Sequence, residues 1–214
     1  IRIYDVLFPA QVLLDTDTFI RDFLVSSGME GPVSSADLHE ALGRHLLKVR
    51  KGCAKYSVVA AAAKLGVPIY TSSPGDSSIG MNVAYHELIN RSTLLIDPNK
   101  DVNEVCAIIR AAEKNGCLIL GGGSPKNFYL QGQPTLWEVY GIPKGGNDYF
   151  IQITTDSVVW GGLSGATPAE AVSWGKVNPS VLPDTAVAYC DTTIAFPLFC
   201  EYVVGHKNGR RKRK

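Results

Sequence analysis

The 214-residue sequence lacks the marks of several large classes of protein. Its apolar runs all fall well short of the roughly 20 residues that a membrane-spanning helix needs. The opening Ile-Arg-Ile-Tyr-Asp-Val does not have the layout of a secretory signal, in which a charged stretch precedes a long apolar one. Internal repeats and an obvious interdomain linker are also missing. These absences predict a single cytoplasmic domain that does not bind membranes.

Cysteine is sparse and scattered. The five cysteines, Cys53, Cys106, Cys117, Cys190 and Cys200, are odd in number and never closer than ten positions apart. Cysteine metal sites usually use pairs a few residues apart, and disulfide frameworks use an even number of cysteines. Because these cysteines lie in apolar strings, we expect buried free thiols and no metal site.

Charged residues are few and unevenly placed. With 19% charged and 45% hydrophobic residues, the chain can bury a sizeable core. Six of its cations lie in residues 207–214, and without them the formal net charge of +1 becomes negative. A negative body suits a polycationic ligand, whereas the basic tail is similar to a nucleic-acid or nuclear-localisation run. The glycine and asparagine in the basic tail favour a disordered terminus at 206–214 that binds no nucleic acid. The residues before it, 1–205, are predicted to form one domain.

Strand and helix patterns alternate along the chain in the manner of βαβ units. Helices are predicted at 16–25, 35–51, 55–65, 81–89, 102–114, 127–140, from 167 onward, and at the C-terminus. Strands are predicted at 67–72, 94–96, 117–120, 149–154 and 186–189. The sequence therefore predicts an α/β fold, a Rossmann-like parallel sheet covered by helices on both faces.

Three loops that follow predicted strands carry residues suited to a dinucleotide: Asp76, Gly121–Gly123 and Asp191. Ligands collect beyond the carboxyl ends of parallel strands. Glycine there lets the backbone approach a pyrophosphate, and a carboxylate can accept ribose hydroxyls. However, Gly-Gly-Gly is not the Gly-x-Gly-x-x-Gly pattern, and strand-end aspartates often cap helices. The residues alone leave cofactor binding and helix capping both open.

A short helix is predicted to begin after Thr167. Thr167 is a suitable N-cap, Pro168 occupies the first helical position, and Glu170 stands three residues after the cap. Gly175 is expected to end the helix.

Three chemically notable residues lie on this helix and its exit turn. Glu170 and Trp174 are four apart and share a helical face, where a cationic amine could bind between carboxylate and indole. Lys176 follows directly. Residue types alone favour a structural role, in which Glu170 closes a capping box, Trp174 fills the core and Lys176 is solvated.

The string Glu-Ala-Val-Ser-Trp-Gly-Lys at 170–176 resembles the active-site segment of deoxyhypusine synthase. Segments 71–82, 94–104, 119–126 and 188–191 stand in the order of that family and are most similar to its bacterial and archaeal branch. Members begin with a long N-terminal segment, whereas this chain opens at Ile1 without methionine. We therefore expect the C-terminal part of a longer protein or a split-gene product.

The resemblance implies an NAD-dependent aminobutyltransferase that acts on spermidine. Lys176 would form an imine with the butylamine group, and burial against Trp174 would keep the lysine neutral. Glu170 and Asn127 would bind substrate with Trp174. The implied cofactor positions are Asp76, Gly122, Thr155 and Asp191. The acceptor would be a lysine of the hypusine-carrying translation factor or, in a homospermidine synthase, putrescine, and the implied assembly is a homotetramer.

Three positions depart from the eukaryotic pattern. Met81 and Leu163 stand where that pattern has aspartates, and Asn127 stands where it has a histidine thought to move a proton. His39, His45 and His86 could replace this base, although each suits a surface or core position better. The alternative to an enzyme is a truncated subunit without catalytic activity. The presence of Lys176, Trp174 and Glu170 together argues against this alternative.

Overall fold

A computed structural model of the chain describes residues 1–3 and 5–211, with the backbone alone at 208–211. The strands are β1 (Arg2–Ile3), β2 (Val6–Leu7), β3 (Pro32–Val33), β4 (Leu95–Ile96), β5 (Gly116–Leu120), β6 (Tyr149–Thr154) and β7 (Ala186–Tyr189). The helices are α1 (Ala10–Ser27), α2 (Ser35–Val49), α3 (Val58–Leu65), α4 (Ser78–Asn90), α5 (Pro98–Ala111), α6 (Ser124–Pro134), α7 (Pro168–Ser173) and α8 (Thr192–Arg211). The predicted α/β class with parallel strands is confirmed.

The chain forms two compact units, Ile1–Asn103 and Glu104–Lys214, and each is described by itself. The single domain predicted over residues 1–205 stays a prediction. Helix α8 continues through residues 206–211, where the sequence predicts a disordered tail, and residues 212–214 lie outside the described part of the chain. In the described residues, no helix is long and apolar enough to cross a membrane.

The first unit is mainly helical. Strands β1 and β2 form a short antiparallel pair, and β3 pairs with β4 in parallel. The core lies between α1, α2 and α4 and contains Ile20, Phe23, Leu24, Leu38, Leu42, Val83, Leu94 and Ile96. Helices α2 and α3 approach closely at Gly43, where a Cβ atom would lie 2.5 Å from the Cβ of Ala63.

The strand predicted at 67–72 is wrong, because the structure has no strand at these residues. Side chains bind this backbone instead of a neighbouring strand. The Oγ of Ser35 accepts a hydrogen bond from the Thr71 amide at 3.0 Å, and His39 Nδ1 lies 3.0 Å from the Ile69 carbonyl. Ser35 is itself held by the buried carboxylate of Asp101, to which its amide and hydroxyl both donate at 2.7 Å.

The second unit contains a three-stranded parallel sheet in the order β5-β6-β7. The predicted strands at 149–154 and 186–189 are confirmed to the residue. Helix α6 connects β5 to β6, and α7 connects β6 to β7. Leu130 of α6, Ala171 of α7 and Phe150 of β6 belong to one buried cluster, completed by Ile119 and Val177. The two connecting helices therefore pack on the same side of the sheet. This is the arrangement expected when successive right-handed crossovers add strands in the same direction across the sheet.

Candidate active site

The start of α7 follows the sequence prediction. Thr167 is the N-cap, and its Oγ1 accepts a hydrogen bond from the Glu170 amide at 3.3 Å, with Pro168 in the first turn. The Glu170 carboxylate accepts no hydrogen bond within the described part of the chain. It therefore does not close a capping box, and its charge is available to a ligand.

The end of α7 places Lys176 through two backbone hydrogen bonds. The Gly175 amide donates to the Val172 carbonyl at 3.0 Å, and the Lys176 amide donates to the Ala171 carbonyl at 3.0 Å. Gly175 has a φ of 66°, which a residue with a side chain rarely adopts. This is a Schellman motif, in which a left-handed glycine ends the helix and turns the chain. Lys176 is thereby fixed at the exit of α7.

The Lys176 amine lies beside the three residues that sequence analysis associated with it. Its Nζ donates to Asn127 Oδ1 at 2.8 Å and lies 5.6 Å from the ring centroid of Trp174. Burial lowers the pKa of Lys176, and the negative charge of Glu170 opposes that shift. Trp174 is 61% exposed, so it does not fill the core. The indole instead forms part of an accessible wall next to the amine.

These residues line one cavity of about 360 Å³. Its described lining consists of Lys126, Asn127, Leu130, Gln131, Pro134, Glu138, Leu163, Ala166, Glu170, Ala171, Trp174 and Lys176. Helix α6, the π-helical turn that follows it at Thr135–Val139, the loop before α7, and α7 itself all contribute. The cavity lies next to the side of the sheet on which α6 and α7 pack.

Sequence analysis missed Lys126, a second lysine in this cavity. Lys126 is 7% exposed, and its Nζ donates to Gln152 Oε1 at 3.0 Å and to the Ala166 carbonyl at 2.7 Å. Burial lowers the pKa of Lys126, and the neighbouring charge of Lys176 lowers it further, whereas Cys117 and Glu170 act in the opposite direction. Lysine is seldom buried. The only sequence signal was its place in the family-like string at 119–126.

Gln152 joins the two loops beside the cavity. It is 1% exposed, and its Nε2 donates to the Gly121 carbonyl and to the Ser164 carbonyl, each at 2.8 Å. Its Oε1 accepts from Lys126, so both ends of the amide are bound. A Cβ atom on Gly122 would lie 2.5 Å from the Cα of Ser164. Glycine is required there because the two loops touch.

The comparisons with known proteins identify the family of the chain. Residues 1–203 match the family model for deoxyhypusine synthase. The chain belongs to the deoxyhypusine synthase family. Members of this family are transferases.

Relatives from bacteria and archaea carry related names. The chain is 52% identical over 210 residues to a deoxyhypusine synthase-like protein of Nostoc punctiforme, a match that covers 95% of this chain and 54% of the relative. It is 39% identical over 197 residues to a probable deoxyhypusine synthase 2 of Methanosarcina acetivorans, covering 92% and 55% of the two chains. The chain thus spans about half the length of the curated relatives it matches.

Three of the four positions that the family resemblance assigns to the cofactor lie at one edge of the sheet. Gly122 follows β5, Thr155 follows β6, and Asp191 follows β7, and these neighbouring strands run parallel. Asp76 belongs to the first unit, where it is exposed in the short turn Pro74–Asp76.

Asp191 also caps helix α8. Its Oδ1 accepts from the Thr193 amide at 2.8 Å and from the Thr193 hydroxyl at 2.6 Å, and these bonds lower the pKa of Asp191. Both bonds fall on Oδ1, which leaves Oδ2 without a hydrogen bond among the described residues. The helix-capping role is therefore real, and it leaves one oxygen suited to a ribose hydroxyl. The glycine loop after β5 lies at the same edge, separated from Asp191 by β6, and this arrangement is compatible with the dinucleotide that the family resemblance implies.

The departures from the eukaryotic deoxyhypusine synthase pattern lie in different places. Leu163 and Asn127 line the cavity, and Asn127 contacts the Lys176 amine directly. Met81 lies in α4 of the first unit and is 59% exposed.

The three histidines considered as replacement bases lie in the first unit and have local partners. His39 contacts the Ile69 carbonyl, and His86 Nδ1 lies 2.7 Å from Asn90 Nδ2. His45 packs against the rings of Phe19 and Phe23, with centroids 5.6 and 5.3 Å away. These contacts match the core and surface roles that sequence analysis favoured.

All five cysteines are free thiols, as predicted, but only Cys106 is buried and the others are half-buried. Burial raises the pKa of Cys117 to about 12, so this thiol is not a nucleophile. The described residues contain no cluster of three or more residues able to hold a metal ion.

Proposed function

We propose that the protein containing this chain is an NAD-dependent aminobutyltransferase. It would oxidise spermidine to an imine, pass the butylimine group to Lys176 with release of 1,3-diaminopropane, and pass it on to an acceptor amine, where return of the removed hydride would give the final secondary amine. The observation that carries the proposal is the position of the Lys176 amine, half-buried in a cavity beside the Glu170 carboxylate and the exposed Trp174 indole.

Lys176 is the nucleophile in this scheme. An amine attacks an imine carbon only in its neutral form, and burial favours that form by lowering the pKa of Lys176. Asn127 accepts a hydrogen bond from Nζ and orients it, but an amide does not titrate and cannot take the proton. Glu170 is the acidic group whose charge acts on Lys176. We therefore assign proton acceptance from the lysine to Glu170 or to solvent in the cavity.

The cavity also suits the cationic substrate. Glu170 and Glu138 are the carboxylates among its described lining residues, and neither carboxylate accepts a hydrogen bond in the described part of the chain. A polyamine carries separated ammonium groups, which two carboxylates on opposite elements can bind. The Trp174 face adds a cation–π contact. Sequence analysis missed Glu138, because it lies on a π-helical turn outside the family-like strings.

When bound, NAD supplies the acceptor for the hydride removed from the carbon next to the secondary amine of spermidine. The residues that would hold it at the sheet edge of the second unit are Gly122, Thr155 and Asp191, and the role of Asp76 in the first unit stays a prediction from the family resemblance. Closure of the site around Lys176 would exclude water and protect the imine from hydrolysis.

The acceptor defines two variants of this function. A lysine of the hypusine-carrying translation factor gives deoxyhypusine synthase, and putrescine gives homospermidine synthase. We also propose that the protein is a homotetramer. Val159 and Trp160, each 77% exposed, precede the loop that leads to α7 and are suited to a contact between subunits.

Covalent trapping tests the proposal. The full-length protein is incubated with labelled spermidine and NAD, reduced with borohydride, and digested for peptide mass spectrometry. We expect label on Lys176 alone, followed by transfer to putrescine or to the translation factor when either is added before reduction. Label on another lysine, or no label in the folded protein, contradicts the proposed function and favours a non-catalytic subunit.

A further inference from the structure

The Lys176 carbonyl is bound as firmly as its amide. It accepts two hydrogen bonds from one residue, Asn147, whose backbone amide lies at 3.0 Å and whose side-chain Nδ2 lies at 2.8 Å. Asn147 is 0% exposed and precedes β6. The Asn147 carbonyl in turn accepts from the Asn178 amide at 3.1 Å, which makes a short parallel bridge between Asn147 and Val177.

A tyrosine orients the Asn147 side chain. The Tyr129 hydroxyl lies 2.8 Å from Asn147 Oδ1 and 3.2 Å from the Gly116 carbonyl. Since Nδ2 of Asn147 donates to Lys176, its Oδ1 must be the acceptor, and the hydroxyl donates to it. Burial raises the pKa of Tyr129 to about 12, so the hydroxyl keeps its proton at neutral pH.

Helix α6 therefore holds the lysine at both ends. Asn127 on this helix binds the Lys176 amine, and Tyr129, two residues later, fixes the asparagine that binds the Lys176 carbonyl. The two chain segments also pack tightly around the bridge. Gly146 has a φ of 85°, and a Cβ atom there would lie 2.6 Å from the Asn178 nitrogen.

We propose that Tyr129 and Asn147 are positioning residues for imine formation at Lys176, an inference that rests on the proposed function. A lysine amine sits on a flexible four-carbon stem, so its location is defined only when both the backbone and the amine are held. A displacement of about 1 Å at a reacting atom costs about 100-fold in rate. Neither residue lines the Lys176 cavity, so we expect the pair to act through the position of the lysine and not through contact with substrate.

The test separates this step from the dehydrogenation that precedes it. Tyr129→Phe removes only the hydroxyl, and Asn147→Asp keeps the shape but replaces the Nδ2 donor with an oxygen. Each is made in the full-length protein, with Tyr56→Phe as the control, because Tyr56 is 90% exposed. NADH formation from spermidine and borohydride-trapped adduct on Lys176 are measured in parallel, with melting temperature as a check on folding.

We expect both variants to slow adduct formation by about 10- to 100-fold. The KM for spermidine and the rate of NADH formation should stay within about twofold of the values for the unsubstituted protein. The double variant should form adduct only slightly more slowly than either single variant, because Tyr129 acts on the lysine through Asn147. Tyr129→Phe decides the outcome if Asn147→Asp does not fold.

Two results overturn the inference. One is unchanged trapping in folded Tyr129→Phe. The other is an equal loss of NADH formation and adduct, which indicates general structural damage. Absence of adduct in the unsubstituted protein contradicts the proposed function instead, so the two failures are distinguishable.

Discussion

The start of α6 and the exit of α7 each bring a lysine into the same cavity, and the two lysines differ in how their amines are bound. The Lys126 amine has two protein acceptors and is 7% exposed. The Lys176 amine has one acceptor among the described residues, Asn127, and is half-buried beside an exposed indole. A buried amine with two protein acceptors joins structural elements, whereas a more accessible amine with a single acceptor is better placed to react. This difference indicates a structural role for Lys126 and supports the proposed chemical role of Lys176.

The largest expected effect comes from Lys176→Arg. Arginine stays protonated and cannot form an imine, so transfer should fall by at least about 1,000-fold. The melting temperature should change little, since this side chain makes one hydrogen bond among the described residues. Labelled-spermidine transfer and thermal unfolding measure the two effects, with the exposed Lys64→Arg as control. Turnover that survives the change would exclude Lys176 as the nucleophile.

Lys126→Met should affect stability more than chemistry. It leaves Gln152 Oε1 and the Ala166 carbonyl without their donor, which costs about 2–4 kcal/mol of unfolding free energy. Denaturant unfolding measures the loss, and Lys64→Met provides the control at an exposed position. If Lys126→Met abolished adduct formation on Lys176 while stability was unchanged, the roles assigned to the two lysines would have to be exchanged.

Glu170→Gln should change both binding and the pH dependence of transfer. Loss of the carboxylate weakens the contact with a substrate ammonium, which should raise KM for spermidine about 10- to 100-fold. The Glu170 charge raises the pKa of Lys176, so its removal lowers that pKa and leaves more neutral amine at a given pH. The rise of the transfer rate with pH should therefore move to lower pH.

Glu138→Gln is the matched variant for this prediction. It should raise KM without moving the pH profile, because Glu138 is not among the charges that act on Lys176. An unmoved profile in Glu170→Gln would show that the carboxylate does not act on the reacting amine.

Trp174→Ala should have the smallest effect. A cation–π contact of about 0.5–2 kcal/mol corresponds to a KM increase between about twofold and 30-fold. Stability should fall by less than about 1 kcal/mol, because the indole is 61% exposed. Tyr56→Ala, at 90% exposed, is the control for removing an exposed aromatic side chain. A loss of about 3–5 kcal/mol, typical of a buried tryptophan, would contradict a substrate-facing role.

The helices and strands that were predicted correctly are those determined by residues close together in the chain. Helix α7 begins after Thr167 and ends at Gly175 because an N-cap hydroxyl and a left-handed glycine act within one turn. The apolar runs of β6 and β7 were found with their bounds. The strand predicted at 67–72 failed because an apolar run does not reveal whether a neighbouring strand is available, and here Ser35 and His39 bind the backbone instead.

The sequence by itself determined the family, the α/β class and the local geometry that presents Lys176, since caps, turns and motifs involve residues close together in the chain. Only the tertiary structure decided what surrounds the amine. Asn127 and Lys176 are 49 positions apart, and Asn147 lies 29 positions before the carbonyl it binds. No local pattern indicates such contacts, because the packing of α6 and α7 on one side of the sheet creates them. The same packing buries Lys126 and leaves the Lys176 amine accessible.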